Sequence, residues 1–395
     1  MCTGCGLCAN VCPKDAISME WSPDGFSIPR VNEERCINCG LCIKKCIALQ
    51  PRNKRKTAID SVNAFAAWNR NTSTHAESSS GGVFSALAEE TLLHGGVVFG
   101  VIWQDNTTAV FSKATCPAEL APMRSSKYTQ ALPGKAYREA KEELLAGRRV
   151  LFAGTPCQIH ALKQYLRRDY ENLLTIDVVC HGVPSRRLLE KYVAEAEQSA
   201  GKKIGYIHFR DKRKSWNTFS VTRHYADGSE QSTSKTQDNY MLLFLSDQCL
   251  NKSCYSCAFA EIPRQGDITV GDYWGVSSEE HPDWPIHRGV SAVLANSAKG
   301  QSALNTLARK EQLRLYPENF RRMYRWQKHS YMSRNARRDH KRTQLLALLR
   351  SETPLDECTA RYAHYYCRGI ICLDKQGIFF RILKAIKRHL KALLK

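Results

Sequence analysis

A chain of 395 residues, 43% apolar and 24% charged, has room for two or three domains with their own cores and is too hydrophobic to be disordered. Its longest apolar runs, such as GGVVFGVIW (95–103), are too short to span a bilayer, and no signal-peptide pattern opens the chain, so a cytoplasmic location is expected. Seventeen cysteines in tight clusters point to metal binding in a reducing compartment rather than a disulfide framework, and most of the net charge of +20 belongs to the C-terminal part.

The front end is an internal repeat. CTGCGLCANVCP (2–13) and CINCGLCIKKC (36–46) both read C-x-x-C-x-x-C-x-x-x-C. Two-residue spacers let three consecutive thiolates reach three corners of a cubane, and the fourth cysteine points to the neighbouring cluster. Cys2, Cys5, Cys8 and Cys46 are therefore assigned to one [4Fe–4S] cluster, and Cys36, Cys39, Cys42 and Cys12 to the other. Zinc, the alternative, prefers two separated C-x-x-C pairs. Residues 1–56 are expected to form an α+β ferredoxin-like domain, with Ile47 standing where such domains place proline. The polar, basic stretch from QPRNKRKTA onward reads as a linker over 57–75.

From residue 76 to 320 the pattern is α/β. A helix is expected over 81–96, with Ser80 as N-cap and Gly95 past its end, then a strand over 97–103. A helix over 136–146 leads to a strand at 149–154 and a helix at 156–170, with Thr155 as N-cap and Pro156 in its first position. A strand over 173–179, a helix over 185–199 and strands near 204–209 and 217–225 follow, with ADGS (226–229) as a hairpin turn.

Strand, helix and strand over 149–179 make one βαβ unit, whose parallel strands end at the same edge of the sheet, where α/β proteins bind ligands. Cys157 follows the first strand and Cys180 the second. Cys157 also sits at a helix N-terminus, which favours a thiolate. NKSCYSCAF (251–259) adds Cys254 and Cys257 as a C-x-x-C pair on a loop. Together these four thiols suit a third [4Fe–4S] cluster, with zinc or unligated thiols as alternatives. Cys116, Cys249, Cys358, Cys367 and Cys372 have no cluster spacing and receive no role.

Several further stretches fall in the order of one family: SSSGGVFSAL (78–87), RSSKYTQA (124–131), LFAGTPCQIHALK (151–163), DVVCHGVPS (177–185), HFRDK (208–212), SCYSCAF (253–259), GDITVGDYWG (266–275) and RGVSAVLANSAKG (288–300). The chain resembles the beta subunit family of coenzyme F-420 hydrogenases and dehydrogenases, over about residues 1–300. The resemblance implies an FAD-binding domain carrying its own [4Fe–4S] cluster, and the family's cysteine motifs fall on Cys157, Cys180, Cys254 and Cys257. No G-x-G-x-x-G or Walker loop is present; given the resemblance, SSSGG, through Ser80, Gly81 and Gly82, with Ser126 and Lys127 beside them, is the candidate to hold the flavin phosphates, and a plain cap and turn is the alternative reading of the same residues. Thr155 and Gln158 are candidates to bond the flavin ring. Lys127, His181 and Lys212 are candidate catalytic groups, to steady a reduced flavin or move a proton, and Arg210 and Lys212 to bind an acidic substrate.

Residues 321–350 carry ten Lys or Arg against one Asp, and 377–395 six and no acid. The latter has apolar residues at helical spacing, so 321–395 is expected to be a basic helical tail, docked on the body or lying on an anionic membrane surface; nucleic acid is not expected. The whole reads as an iron–sulfur flavoprotein oxidoreductase joining ferredoxin-type clusters, a third cluster and FAD to an unidentified organic substrate. Its expected partners are a soluble electron carrier or a redox enzyme. The competing reading is an electron-transfer adapter that serves a partner enzyme.

Overall fold

The computed structural model describes residues 1–50, 61–331 and 341–363. At the front, helices Leu7–Val11 and Leu41–Lys45 flank a hairpin of β1 (Ile17–Trp21) and β2 (Ser27–Val31), which pair antiparallel. The rest of the chain supplies β3 (Asn63–Asn69), β4 (Val97–Trp103), β5 (Ala109–Ala114), β6 (Ala131–Leu132), β7 (Val150–Gly154) and β8 (Leu173–Val178). It continues with β9 (Ile204–Asp211), β10 (Ser220–Tyr225), β11 (Glu230–Ser234), β12 (Ile268–Asp272), β13 (Ser291–Ala295) and β14 (Leu313–Glu318). Nine of these form one mixed sheet in the order β14-β3-β13-β12-β8-β7-β4-β5-β6, and β11-β10-β9 form a smaller sheet.

The centre of the large sheet, β12-β8-β7-β4, is parallel and covered on both faces. Alternation along each strand divides the core between those faces. Val97, Phe99, Val150 and Phe152 meet the helices Ala136–Leu145 and Pro156–Leu166, and Leu7 and Ile47 of the front domain join the same cluster. Val98, Leu151, Ile176 and Ile268 meet the helices Val83–Leu93 and Ala298–Arg309 on the other face. Ile47 is thus a buried anchor between the domains, which accounts for an apolar residue at that position.

Polar contacts fix the front domain as well. Arg138 donates to the carbonyls of Ala9, Asn10 and Cys12, and the Tyr137 hydroxyl donates to the Cys5 carbonyl at 2.8 Å. Gln130 accepts from the Ser27 amide at 2.9 Å, and the Ser185 hydroxyl donates to the Asp24 carbonyl at 2.7 Å.

Several expectations need correction. Part of the stretch read as a linker, 57–75, is β3 and the helix Thr72–Glu77, and β3 lies inside the sheet between β14 and β13. The helix expected over 81–96 runs from Val83 to Leu93, and its N-cap is Gly82 at φ 79°, not Ser80. The Ser80 hydroxyl donates instead to the Val290 carbonyl at 3.0 Å. Helix Pro156–Leu166 is shorter than 156–170, because Arg167 adopts φ 64° and ends it. Cys254 lies in a one-turn helix, Lys252–Tyr255, rather than an open loop.

The region read as a basic tail is partly core. Helices Arg342–Leu349 and Leu355–Tyr362 bury Leu345, Leu346, Leu349, Leu355 and Cys358 in the cluster beneath the smaller sheet. Cys367, Cys372 and the amphipathic stretch 377–395 lie outside the described residues. Among the described residues, no helix is long and apolar enough to cross a membrane.

Candidate functional site

The two cysteine sets of the front domain differ in environment. Burial pushes the Cys5 thiol up to about 11 and the Cys8 thiol up to about 12, and the neighbouring sulfurs of Cys2 and Cys46 add to both shifts. Cys2 is raised by burial too, with Cys46 contributing. The Cys46 sulfur therefore lies near those of Cys2, Cys5 and Cys8 in the fold. Cys12 ends helix Leu7–Val11, Cys42 lies on helix Leu41–Lys45 and the two helices pack together, with Cys39 exposed. Amides already point at sulfur here: Gly4 N–H donates to Cys2 Sγ and Ala16 N–H to Cys12 Sγ, both at 3.3 Å.

Cys157, Cys180, Cys254 and Cys257 line a single cavity of about 330 Å³ between the front domain and the sheet edge. β7 and β8 run parallel and deliver Cys157 and Cys180 to that edge, while the segment after Lys252 closes the other side. Burial raises the Cys157 thiol well above its usual range, and Cys257, Cys180 and Cys5 raise it further. Val183 N–H donates to Cys254 Sγ at 3.4 Å, and the Thr155 hydroxyl lies 3.2 Å from Cys157 Sγ.

This donor set fits an iron–sulfur cluster chemically. The ligands are soft thiols that repel one another when ionised, and they lie in a pocket with amide and hydroxyl groups directed at sulfur. Among the described residues, no group of three His, Cys, Asp or Glu side chains converges as a single metal ion would require. A four-iron cluster carries one thiolate on each corner, so it needs no such convergence on a point.

A second cavity, of about 830 Å³, opens beside the first. Ser80, Gly82, Ser126, Lys127, Thr155, Gln158, His181 and Arg210 all line it. The sequence motifs meet here directly: Ser126 N–H donates to Ser79 Oγ at 2.9 Å, joining SSSGG to RSSKYTQA. Gly81 lies just behind, and only glycine fits, because a Cβ there would stand 2.2 Å from the Ala67 carbonyl oxygen. Thr155 and Gln158 form a capping box, with Gln158 Oε1 accepting from the Thr155 amide at 3.0 Å and hydroxyl at 2.9 Å. The Gln158 amide also donates to the Ala131 carbonyl, so both side chains are held in place at the cavity wall.

The two lysines are used differently from the sequence expectation. Lys127 Nζ donates to the carbonyls of Pro122 at 2.6 Å, Arg124 at 2.7 Å and Ser125 at 3.3 Å, tying its own loop together. Burial draws its pKa down to about 7, while the three carbonyls favour the proton staying on. Lys212 lines neither of these two cavities; its Nζ donates to the carbonyls of Ser80 and Arg288, and burial, with the charge of Arg210, lowers it to about 7. Sequence cannot see such carbonyls.

Arg210 is likewise engaged. It is 3% exposed and forms a bidentate pair with Asp272 at 2.8 and 2.9 Å, with further bonds to the Tyr128 hydroxyl and the Ser79 carbonyl. Burial works against its charge, but Asp272 and Tyr128 outweigh it and raise the pKa. His181 lines both cavities, with Nε2 2.9 Å from Asp247 and its ring edge against Phe244. Asp272, Asp247, Tyr128 and Trp274 were missed from sequence, although Asp272 and Trp274 lie in the quoted GDYWG stretch.

Residues 1–48 match a 4Fe-4S dicluster domain, and residues 147–319 match the family model for the C terminus of the coenzyme F420 hydrogenase/dehydrogenase beta subunit. The chain thus joins a segment similar to 4Fe-4S dicluster domains to one similar to the C terminus of the F420 hydrogenase/dehydrogenase beta subunit. A solved structure with a similar fold is a chain from the F420-reducing [NiFe] hydrogenase complex of Methanosarcina barkeri, in a xenon-derivatised form. The likeness has a TM-score of 0.51 at 15% identity and covers 70% of this chain and 92% of that chain. No curated protein matches this dicluster protein significantly.

Proposed function

We propose that the chain is an iron–sulfur flavoprotein oxidoreductase, with [4Fe–4S] clusters on the two front cysteine sets, a third on Cys157, Cys180, Cys254 and Cys257, and FAD in the larger cavity. The observation that carries this reading is a shared wall: Thr3, Cys157, Cys180, His181, Gly182 and Val183 line both cavities. A thiolate set in that wall borders the dicluster domain on one side and the flavin on the other.

When bound, these groups supply one-electron transfer and its exchange with two-electron chemistry, because a flavin handles both. The residues around them bind and position. Ser79 and Ser126, with the backbone at Gly82, offer donors suited to the flavin phosphates, whereas the Ser80 hydroxyl and the Gly81 amide are already spent on the Val290 carbonyl and the Ser291 hydroxyl and only shape the loop. Lys127 and Lys212 fix the two loops that carry those donors. Thr155 and Gln158 set the mouth of helix Pro156–Leu166 beside the flavin. His181, held by Asp247, is the group placed to move a proton in the cavity. A partner redox enzyme or soluble carrier supplies or removes electrons, and an organic substrate meets the flavin.

The test is anaerobic purification followed by iron, sulfide and flavin analysis. Three four-iron clusters predict about 12 iron atoms per chain, with one FAD. About eight irons would remove the third cluster, and absence of flavin would remove the flavoprotein reading.

A further inference from the structure

The front domain meets the third cysteine set through one of its own two sets. The cavity lined by Cys157, Cys180, Cys254 and Cys257 is closed on the front-domain side by Met1, Thr3, Ile47, Ala48 and Gln50. Met1 and Thr3 flank Cys2, and Ile47 follows Cys46, so this wall adjoins the ligands of the Cys2, Cys5, Cys8 and Cys46 set. Among the described residues, none from Cys5 to Cys46 lines either cavity. No residue from Ile28 to Cys46 is buried, so the segment carrying Cys36, Cys39 and Cys42 lies at the surface. Cys12, the fourth member of that outer set, meets the body through its backbone carbonyl, on Arg138.

The junction on the inner side is dry. Cys5, Cys157 and Cys257 all pack against one apolar cluster, in which Leu7, Ile47, Tyr137 and Phe259 are buried. The Tyr137 hydroxyl donates to the Cys5 carbonyl at 2.8 Å and so ties this ligand's backbone to the helix Ala136–Leu145. The Cys5 sulfur stands near enough to Cys157 to act on its thiol. Close packing of this kind fixes the separation of the two sites and keeps water out of the gap between them. Both matter for an electron, whose transfer slows steeply with distance and with the amount of solvent that must reorganise.

We infer that the inner set, Cys2, Cys5, Cys8 and Cys46, is the point through which electrons pass between the front domain and the body, with Ile47 as the residue that positions it against the third set. The inference rests on the reading that all three thiol sets hold four-iron clusters. The order along the route is then outer cluster, inner cluster, third cluster and flavin, and electrons enter or leave the protein at the outer one. The step balances simply: the reduced inner cluster loses one electron, the oxidised third cluster gains it, and no bond or proton changes hands. Ile47 acts through its neighbour. It follows the Cys46 ligand directly, is 3% exposed, and belongs both to the shared apolar cluster and to the cavity wall. Ile43, four residues earlier on the outer segment, is 65% exposed and has no such place.

The test uses the full chain, purified anaerobically with its clusters and flavin. Cys36→Ala with Cys39→Ala removes the outer cluster and leaves about eight irons. After reduction with dithionite, the two remaining clusters are expected to interact magnetically, giving split, fast-relaxing EPR signals. About eight irons with two isolated signals overturn the proposal. If this variant holds only about four irons, the front domain has lost both clusters and the decision falls to variants that keep every ligand. Ile47→Ala opens a void beside the contact, and is expected to weaken the magnetic interaction and to slow flavin reduction through the dicluster domain at least about fivefold. Ile43→Ala, the same truncation on the outer segment, is expected to stay within about twofold of the unaltered protein. Equal effects of the two truncations, or a larger one for Ile43→Ala, overturn the proposal. Failure of the three-cluster flavoprotein reading shows separately, as missing iron or flavin in the unaltered protein.

Discussion

Removing Asp272 is expected to cost more than removing the pair it belongs to. Arg210 is 3% exposed, and its two amino groups donate to Asp272 at 2.8 and 2.9 Å. Asp272→Ala leaves that guanidinium buried with one hydroxyl and one carbonyl, and orphans the Trp216 indole N–H that donates to the same carboxylate at 2.8 Å. Breaking a buried pair from one side costs about 3–5 kcal/mol, whereas replacing both partners with apolar groups is often neutral. At about 2 °C per kcal/mol for a body this large, Asp272→Ala lowers the melting temperature by about 6–10 °C. Adding Arg210→Met removes the unpaired charge and restores at least half of the loss. Thermal and urea unfolding, followed anaerobically by circular dichroism, read both values. A single variant within about 1 kcal/mol of the parent, or a double variant no more stable than Asp272→Ala, refutes this account of the site's rigidity.

The remaining predictions are smaller. His75 is buried, its Nε2–H donates to the Gly289 carbonyl at 2.7 Å, and burial, with the charge of Lys212 nearby, lowers its pKa from 6.5 to about 4. Between those values the unfolded chain binds a proton that the folded chain refuses, so about 3 kcal/mol of stability disappears as pH falls from 6.5 to 4. Urea midpoints across that range should show the slope, and His75→Gln should flatten it. Gly81→Ala forces a Cβ to 2.2 Å from the Ala67 carbonyl and should cost at least about 1–3 kcal/mol by urea unfolding, with loss of flavin. Thr155→Val deletes the cap of helix Pro156–Leu166, for about 1 kcal/mol, and the hydroxyl beside Cys157 Sγ. Circular dichroism melts check the first effect, and the EPR spectrum of the reduced protein should register the second.

How far the sequence reached depends on range. The βαβ unit around Cys157 was legible because turn chemistry and periodicity over a few residues define it: Pro156 starts the helix, and β7 and β8 pair in parallel. The strands β3, β5, β12, β13 and β14 were not recognised. β13 is buried at all five positions, so SAVLA shows no alternation, and β3 reaches its place only by pairing with partners more than 200 residues away. The grouping of Cys2, Cys5 and Cys8 with Cys46 came from spacing, because the C-x-x-C-x-x-C-x-x-x-C repeat is local in the chain, and the fold brings Cys46 near the other three. Lys127 and Lys212 illustrate the limit. A lysine in a motif looks available for an anion until the backbone carbonyls around it are in place. Asp247 escaped for the same reason, since nothing in LSDQC shows that it will face His181.

The central claim is that a cluster bound by Cys157, Cys180, Cys254 and Cys257 separates the dicluster domain from the flavin. Iron and flavin analysis of Cys157→Ser with Cys180→Ser, beside the unaltered chain, tests it most directly. The account predicts a fall from about 12 irons to about eight, with FAD retained and no longer reduced at the parent's rate through the dicluster domain. An unaltered iron content in that variant would contradict it.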